Sequence, residues 1–233
     1  MKTLRKNEKP EAKPVVVEDS VVVLDFLNLS GDAAVQWLSG GIAETIGVDL
    51  ARVSSLRVVR REKLARALAL RSHPVASEDD ALNVARSMGA RWVVWGAYQA
   101  AGERIRITPR FGSVKDGSIV ATSKLDGAMR EIFDLQDRIV TDILARLDVD
   151  ATEQMRAAIA RPATKSLTAY ELFARARQLQ QQFTPTALLE SRVLLQQAIE
   201  RDPDYALAHS GLGYSYAPGR QQDLDRGQGL QPR

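Results

Sequence analysis

Three carboxylates, Glu131, Asp134 and Asp137, recur at steps of three in the segment REIFDLQDRIV. Acids so spaced lie along one side of a helix and could share a proton or hold a cation. No histidine or nucleophile accompanies them, so the spacing reads as the polar side of an amphipathic helix. The histidines are His73, which precedes a proline in a loop, and His209, in a segment of different character. A two-histidine metal site would need both. Ser30-Gly31-Asp32 lacks the G-x-S-x-G frame that presents a serine nucleophile. Gly40-Gly41 could expose amides to an anion, but it falls inside an apolar helical period and no Walker lysine follows, so close packing explains it better. Gly211-x-Gly213 follows no strand and is not a dinucleotide fingerprint. These residues support no catalytic, cofactor or metal assignment.

Two groups could bind rather than catalyse. Arg104, Arg106 and Arg110 share one side of a strand, a candidate basic surface for an acidic partner. No aromatic platform interleaves with them, and a solvated face that discourages edge pairing accounts for the stripe. Trp92, Trp95 and Tyr98 divide between the two parities of one strand and read as core rather than as a ligand cage.

Composition narrows the classes further. The chain has 233 residues, no cysteine, 32 basic against 29 acidic residues and a formal net charge of +3. Without cysteine there is no disulfide, thiolate-held metal or thiol catalysis. So small a net charge argues against nucleic acid as the principal partner. A spanning helix needs about 20 apolar residues, and the best runs, Val21–Leu24 and Trp92–Trp95, are far shorter, so no membrane insertion is expected. Residues 1–19 open with five basic and two acidic residues and no following apolar stretch, which reads as a disordered leader and a cytoplasmic chain.

The elements that must position these groups follow from periodicity. Residues 20–27 form a dense β-branched run. Asp32 stands as a helix cap, and Val35, Leu38, Ile42, Ile46 and Leu50 form a helical stripe. Leu56–Val59 is a short strand, Arg60–Leu70 a helix broken at His73-Pro74, and Asp79–Met88 a helix closed by Gly89. Arg91–Gln99, Glu103–Phe111 and Ser118–Leu125 are strands joined by Ala100-Ala101-Gly102 and Lys115-Asp116-Gly117. Ile132, Leu135, Ile139, Ile143 and Leu147 mark a long helix. Early alternation predicts parallel pairing and the hairpins add antiparallel strands, giving a mixed five-stranded α/β sheet covered by helices. Beyond Leu167 the pattern is helical only, with Thr184-Pro185 and Asp202-Pro203 separating helices.

The blocks VVVLDFLNLSGD, SGGIAETI, LRVVRR, ARSMGARWVVWGAYQAAGERIRITPRF and REIFDLQDRIV, in that order, resemble the TolB amino-terminal-like (FlgO-type) domain. That resemblance implies a non-enzymatic α/β module that often sits beside tetratricopeptide repeats or output domains. Pro109 departs from the family strand, and its missing donor predicts an edge or a bulge. Farther on, Ser191, Leu195, Ala198 and Pro203 resemble the second helix and exit of a tetratricopeptide repeat, and Leu212, Gly213 and Tyr216 the L-G-x-x-Y start of the next. His209 stands where such a repeat often has Trp. This resemblance implies capture of a protein partner on a helical groove, with Tyr170, Arg177, His209 and Tyr216 as candidate contacts.

The expected organisation is a leader over 1–19, the α/β domain over 20–150, a linker over 151–166, incomplete repeat helices over 167–217 and a disordered tail over 218–233. The expected function is a non-catalytic, cofactor-free interaction module in bacterial signalling. The alternative is the sensory or regulatory part of a larger kinase or adenylate cyclase whose catalytic domain lies elsewhere. The tail holds large apolar residues only at Leu224 and Leu230, too few to offset an ordering cost of about 1–2 kcal/mol per residue. Deleting 218–233 is therefore expected to leave the thermal midpoint unchanged. Strong amide protection in that stretch, or a marked loss of stability on deletion, would show that it packs.

Overall fold

Four buried residues, Ser20-Val21-Val22-Val23, form the first strand, β1. A strand covered on both faces needs continuous small and β-branched residues, and this segment supplies them. The computed structural model describes residues 20–71, 75–147, 152, 153, 157, 159 and 161–217. The expectations for the leader, for His73-Pro74 and for the tail fall outside these residues.

The described elements run β1 (Ser20–Val23), β2 (Leu27–Asn28), α1 (Leu38–Leu50), β3 (Arg57–Val58), α2 (Arg61–Ala69), α3 (Glu78–Ser87), β4 (Trp92–Ala101), β5 (Arg104–Ser113), β6 (Ile119–Thr122), β7 (Leu125–Ala128), α4 (Ile132–Arg146), α5 (Leu167–Gln180), α6 (Pro185–Arg201) and α7 (Ala206–Ser215). Strand order is β3-β1-β4-β5-β6, with β2 also on β4 and β7 also on β5. β1 is parallel to β3 and β4, and the β4–β5 hairpin and its neighbours are antiparallel. The fold is thus the expected mixed α/β sheet, with seven strands rather than five. The surplus strands are short: β2 has two residues, and the run expected as one strand from Ser118 splits into β6 and β7.

Pro109 explains that split. β5 is internal, not at an edge, and Pro109 stands opposite Gly96 of β4. Its carbonyl accepts from Ser123 N at 3.3 Å, so its polar side faces β6 and β7. Proline offers no donor there, and the neighbouring strand breaks at Ser123-Lys124, between the pairs Arg110–Thr122 and Ile107–Leu125. A register shift follows at Phe111/Gly112.

Chain punctuation follows the sequence. Asp32 accepts from Ala34 N at 2.8 Å and caps a single 3-10 turn that leads into α1. Ser77 and Asp80 form a capping box at α3, and Gly89 beyond its end has φ 70°.

Side-chain parity sorts the core into layers. Val21, Val23, Ile42, Ile46, Ile107 and Ile139 meet between the sheet and α1/α4. Val22, Leu64, Leu82, Val93 and Trp95 meet under α2/α3. Trp92 packs against the first layer and Tyr98 is buried in it, so the three aromatics divide by parity and fill core on both faces. A third cluster joins α5, α6 and α7 through Phe173, Ala176, Leu195, Ala198, Tyr205 and Ala208. The first cluster also holds Tyr170 and Ala174 of α5, so the helices after 167 share core with the sheet. Among the described residues no helix is long and apolar enough to cross a membrane.

The junction between sheet and helices rests on Gly41. A Cβ there would lie 2.9 Å from Tyr170 Oη and 3.1 Å from Ala174 Cβ. The double glycine, read from sequence as a packing feature, is therefore the notch into which α5 settles. Gly213 on α7 is the opposite case, where an added methyl group would meet nothing within 4 Å. Gly41→Val is expected to cost about 1–3 kcal/mol through overpacking. Gly213→Ala is expected to be neutral or to stabilise by up to about 1 kcal/mol through helix propensity. Urea unfolding of the two variants checks the contrast, and equal effects would refute this account of the junction.

Candidate functional site

The apolar run of β1 ends in Asp25, and that of β3 ends in Arg60-Arg61, the latter opening α2. Because β1 and β3 are parallel, their carboxyl ends emerge side by side and bring these charges together. In open α/β sheets this is the rim where ligand crevices form. Leu24 N still donates to Val94 O at 2.8 Å and Val59 N to Val21 O at 2.8 Å, which fixes the rim backbone.

Arg61 is the hub. One guanidinium nitrogen donates to Val23 O at 3.0 Å and the other to the Asp25 carboxylate. Its Nε lies 3.5 Å from Glu44 Oε2 on α1. Arg177 of α5 donates from Nε to Glu44 Oε1 at 3.2 Å and from its terminal nitrogens to Glu62 Oε1 at 3.1 Å and Gln180 Oε1 at 2.7 Å. The side chains of Arg61, Glu44 and Arg177 are only 12%, 11% and 13% exposed. Burial works against the charge on Arg61, but Asp25, Glu44 and Glu62 outweigh it and hold the guanidinium more firmly protonated than usual. Burial likewise opposes the charge on Arg177, and Glu44 and Glu62 reverse the balance. The cluster presents no free nucleophile. What it does is clamp α5 to α1 and α2.

A half-open pocket of about 380 Å³ lies on the Asp25 side of this cluster, bordered by Leu24, Phe26, Leu68 and Val75, by Asn28, Gln36 and Ser39, and by Gln178 of α5. Gln178 donates from Nε2 to Gln36 O at 3.2 Å, a second tie between α5 and the start of α1. A shallower groove of about 230 Å³ lies on the other side, beside Val58 and Gly47.

The residues expected to contact a partner separate into two sets. Tyr170 is 1% exposed. Its hydroxyl accepts from Gln136 Nε2 at 2.7 Å, and its ring meets Trp37 and Phe133 at centroid distances of 5.4 and 5.2 Å. Tyr170 and Arg177 are thus corrected from groove contacts to interior ties, because the Gly41 notch draws α5 onto the sheet layer. His209 and Tyr216 remain on the surface of α7. His209 Nε2 lies 2.8 Å from Pro203 O, and the Arg192 guanidinium stacks 3.9 Å from the Tyr216 ring centroid. Arg104, Arg106 and Arg110 are exposed on the sheet face away from α1 and α4, with Arg106 paired to Asp126 at 2.6 Å. The sequence reading did not single out Asp25, Glu44 or Arg61. The available signal was a charge placed directly after each apolar strand run.

The carboxylate triplet at the start of α4, Glu131 as its N-cap and Asp134 and Asp137 within it, serves three ends. Glu131 accepts from Ala128 N at 2.9 Å, Asp134 is exposed, and Asp137 is half-buried beside Asp49 of α1. Burial pushes the Asp49 carboxyl up to about 7, opposed by Arg52 and reinforced by Asp137. Asp137 is pushed up to about 6, again by burial first and then by Asp134. Among the described residues no three His, Cys, Asp or Glu side chains converge as a metal-ligand set.

Comparison with known proteins adds the following. No protein-family model matches the chain. The chain is 31% identical over 205 residues to "Putative adenylate cyclase 3" of Rhizobium meliloti (strain 1021), covering 88% of this chain and 33% of that protein. It thus spans about a third of that relative's length. Similar solved structures include TolB from Acinetobacter baumannii (13% identity, 58% of this chain and 30% of that one, TM-score 0.40). They also include the LpoB C-terminal domain from Escherichia coli (19%, 50% and 87%, TM-score 0.40). A third is lipoprotein GNA1162 from Neisseria meningitidis (14%, 57% and 99%, TM-score 0.42).

Asp49 provides a pH test of the α1–α4 packing. Its pKa is raised on folding from the ordinary 3.8 to about 7, so the folded chain binds the proton more tightly. The resulting stabilisation is complete below about pH 4 and is lost as pH rises through about 7. Asp49→Asn, which mimics the protonated form, is expected to be more stable than the wild type above about pH 7, with the gap closing toward about pH 4. Urea unfolding across that range measures it, and a gap that does not change with pH would contradict the buried placement.

Proposed function

We propose that this chain is a non-catalytic interaction module, in which an α/β unit over 20–150 carries, through a linker over 151–166, repeat-like helices over 167–217 that engage a protein partner. The observation that carries this reading is the outer face of α6 and α7. Leu189 and Val193, one helical turn apart on α6, are 41% and 53% exposed, and Tyr216 just beyond α7 is 52% exposed. Arg192 joins the two parts of this face by stacking on Tyr216 and donating to Ser215 O at 2.6 Å. Exposed apolar side chains clustered on adjoining helices favour docking of another apolar surface. Gly213, whose Cβ position is open, and His209 and Tyr216, seven residues apart, lie on one side of α7 and extend this face. The tetratricopeptide-like register supports the same reading, since its second helix ends at Pro203 and a further first helix begins beyond it.

In this reading Tyr170 and Arg177 act indirectly. They hold α5 on the sheet, and α5 holds α6 and α7 in place. The basic residues Arg104, Arg106 and Arg110 form a separate exposed surface suited to an acidic protein segment.

A second reading has its own observation. The match to "Putative adenylate cyclase 3" covers most of this chain and a third of that protein. This favours a regulatory segment that acts on a catalytic domain elsewhere in a longer protein. A cyclase domain in the adjoining reading frame, and a changed cyclase rate on deletion of this segment, would separate that reading from a free-standing adaptor.

Affinity capture from the source cell tests the main proposal. The wild-type chain is expected to retain a protein that the double variant Leu189→Glu, Val193→Glu loses by at least about tenfold, a difference of about 1.4 kcal/mol. Both positions are exposed, so the thermal midpoint should be unaffected. Equal retention by the two proteins would exclude this face.

A further inference from the structure

β6 and β7 each pair with β5 alone, so their far side is open among the described residues. The two pieces keep one register. Thr122 stands opposite Arg110, and three residues farther along each strand Leu125 stands opposite Ile107. The break at Ser123-Lys124 therefore leaves a single continuous sheet edge. Ser123 N donates to Pro109 O at 3.3 Å and Met129 N to Glu103 O at 2.6 Å, so the odd-numbered residues from 123 to 129 turn their backbone toward β5. Backbone direction alternates along a strand, so Thr122, Lys124 and Asp126 turn their N–H and C=O groups outward. All three residues are exposed. Ala128 N, next in the series, donates to Glu131 Oε2 at 2.9 Å, which closes the edge at that end. An open row of backbone donors and acceptors is a template for a further strand.

The side chains along this edge share a face with Arg104, Arg106 and Arg110 of β5. Asp126 accepts from Arg106 Nε at 2.6 Å, and that bond, with Lys124 and Arg104 adding, holds its carboxyl below the usual carboxylate range. One carboxylate thus faces three cations. Arg110 lies farther along the same face, directly behind Thr122. Arg104, Arg110 and Lys124 form no ion pair among the described residues. The other acids around the edge lie elsewhere: Glu131 is engaged at Ala128, Asp116 accepts from Ser118, Glu103 is in the β4–β5 turn, and Asp142 borders the opposite face beside Ala121. The face between Thr122 and Asp126 is therefore basic. Two such edges would repel each other, whereas a strand with acidic side chains on this face would be drawn to it. No aromatic residue of β5, β6 or β7 lies on this face, so a nucleic-acid base would have nothing to stack on.

We propose that the β6–β7 edge takes up an extended acidic segment of a protein partner as an added strand, its backbone paired with Thr122, Lys124 and Asp126 and its acidic side chains over Lys124 and toward Arg110. An added strand places alternate side chains on one face, so acids at every second position meet Lys124 directly and Arg110 across the short Thr122 side chain. The intervening positions lie beside Ala121 and Ser123 on the other face, where β-branched residues suit the strand. This inference rests on the reading of Arg104, Arg106 and Arg110 as a surface for an acidic segment, and adds the way in which that segment is held. It stands apart from the face of α6 and α7, and its test touches none of that face's residues.

The probes are the end-capped peptide Thr-Glu-Val-Glu-Val-Thr and its counterpart with lysine in place of glutamate, titrated into the full chain and followed by amide NMR. The expected result is saturable shifts from the acidic peptide at Thr122, Lys124 and Asp126, with slowed solvent exchange of those three amides and no shifts from the lysine peptide. Lys124→Glu, at an exposed position, should weaken the acidic peptide by at least about tenfold. Thr122→Pro removes one outward N–H where an edge strand tolerates proline, and should weaken it to a similar degree. The slowed exchange decides alone if Thr122→Pro does not fold. Absence of saturable shifts at millimolar peptide, or equal binding of the lysine peptide, would overturn both this proposal and the basic-surface reading beneath it. Shifts confined to Arg104, Arg106 and Arg110, with binding unaltered by Thr122→Pro, would overturn strand addition and leave that reading standing.

Discussion

The seating of α5 across α1 is the contact on which the rest of the molecule depends. Two unlike interactions make it. Tyr170 enters a notch left open by Gly41, between Trp37 and Phe133, and meets the Gln136 amide. Two turns farther along α5, Arg177 reaches Glu44 and Glu62 and closes an ion network around Arg61. The apolar contact supplies the attraction, while the ion network adds directional contacts, with Glu44 Oε2 and Arg61 Nε buried 3.5 Å apart without a hydrogen bond. Together they fix where α6 and α7 stand relative to the sheet.

The sheet itself has two halves with different demands. β1 and the first part of β4 lie between helices and are apolar on both faces, while the short edge strand β3 is only partly buried. β5, β6 and β7 bury only the side of Ile105, Ile107 and Phe111, and turn Arg104, Arg106 and Arg110 outward. The helices crossing between parallel strands cover the first half, and the hairpins leave the outer face of the second uncovered. Pro109 sits inside the hairpin half, where the partner strand accommodates its missing donor by breaking in two.

This arrangement gives the proposed functions their places. Charges that end the parallel strands gather at one rim, beside a pocket open to solvent. The helices beyond it present an apolar face at their free side. Both features involve α5, one through Gln178 and the other through the cluster that carries α6 and α7.

The sequence by itself determined the local elements. The stripe Ile132–Leu135–Ile139–Ile143 placed α4, the alternation of Ile105 and Ile107 placed β5, and Gly89 and Asp32 marked helix boundaries, because each rests on contacts within a few residues. It also showed that Gly40-Gly41 favoured packing over phosphate binding. It could not show what packs there, since Tyr170 is more than a hundred residues away. The two-residue β2 and the split of β6 from β7 leave no periodic trace and exist only because β4 and β5 offer partners. Tyr170 and Arg177, read as outward contacts from their helical positions, turned inward for the same reason: a helix has several faces, and which one is buried depends on the surface it meets. Asp25, Glu44 and Arg61 are ordinary charges in the chain. They become a cluster only when parallel pairing of β1 and β3 and the docking of α5 bring them together, with Arg61 and Glu44 buried and Asp25 at the solvent edge.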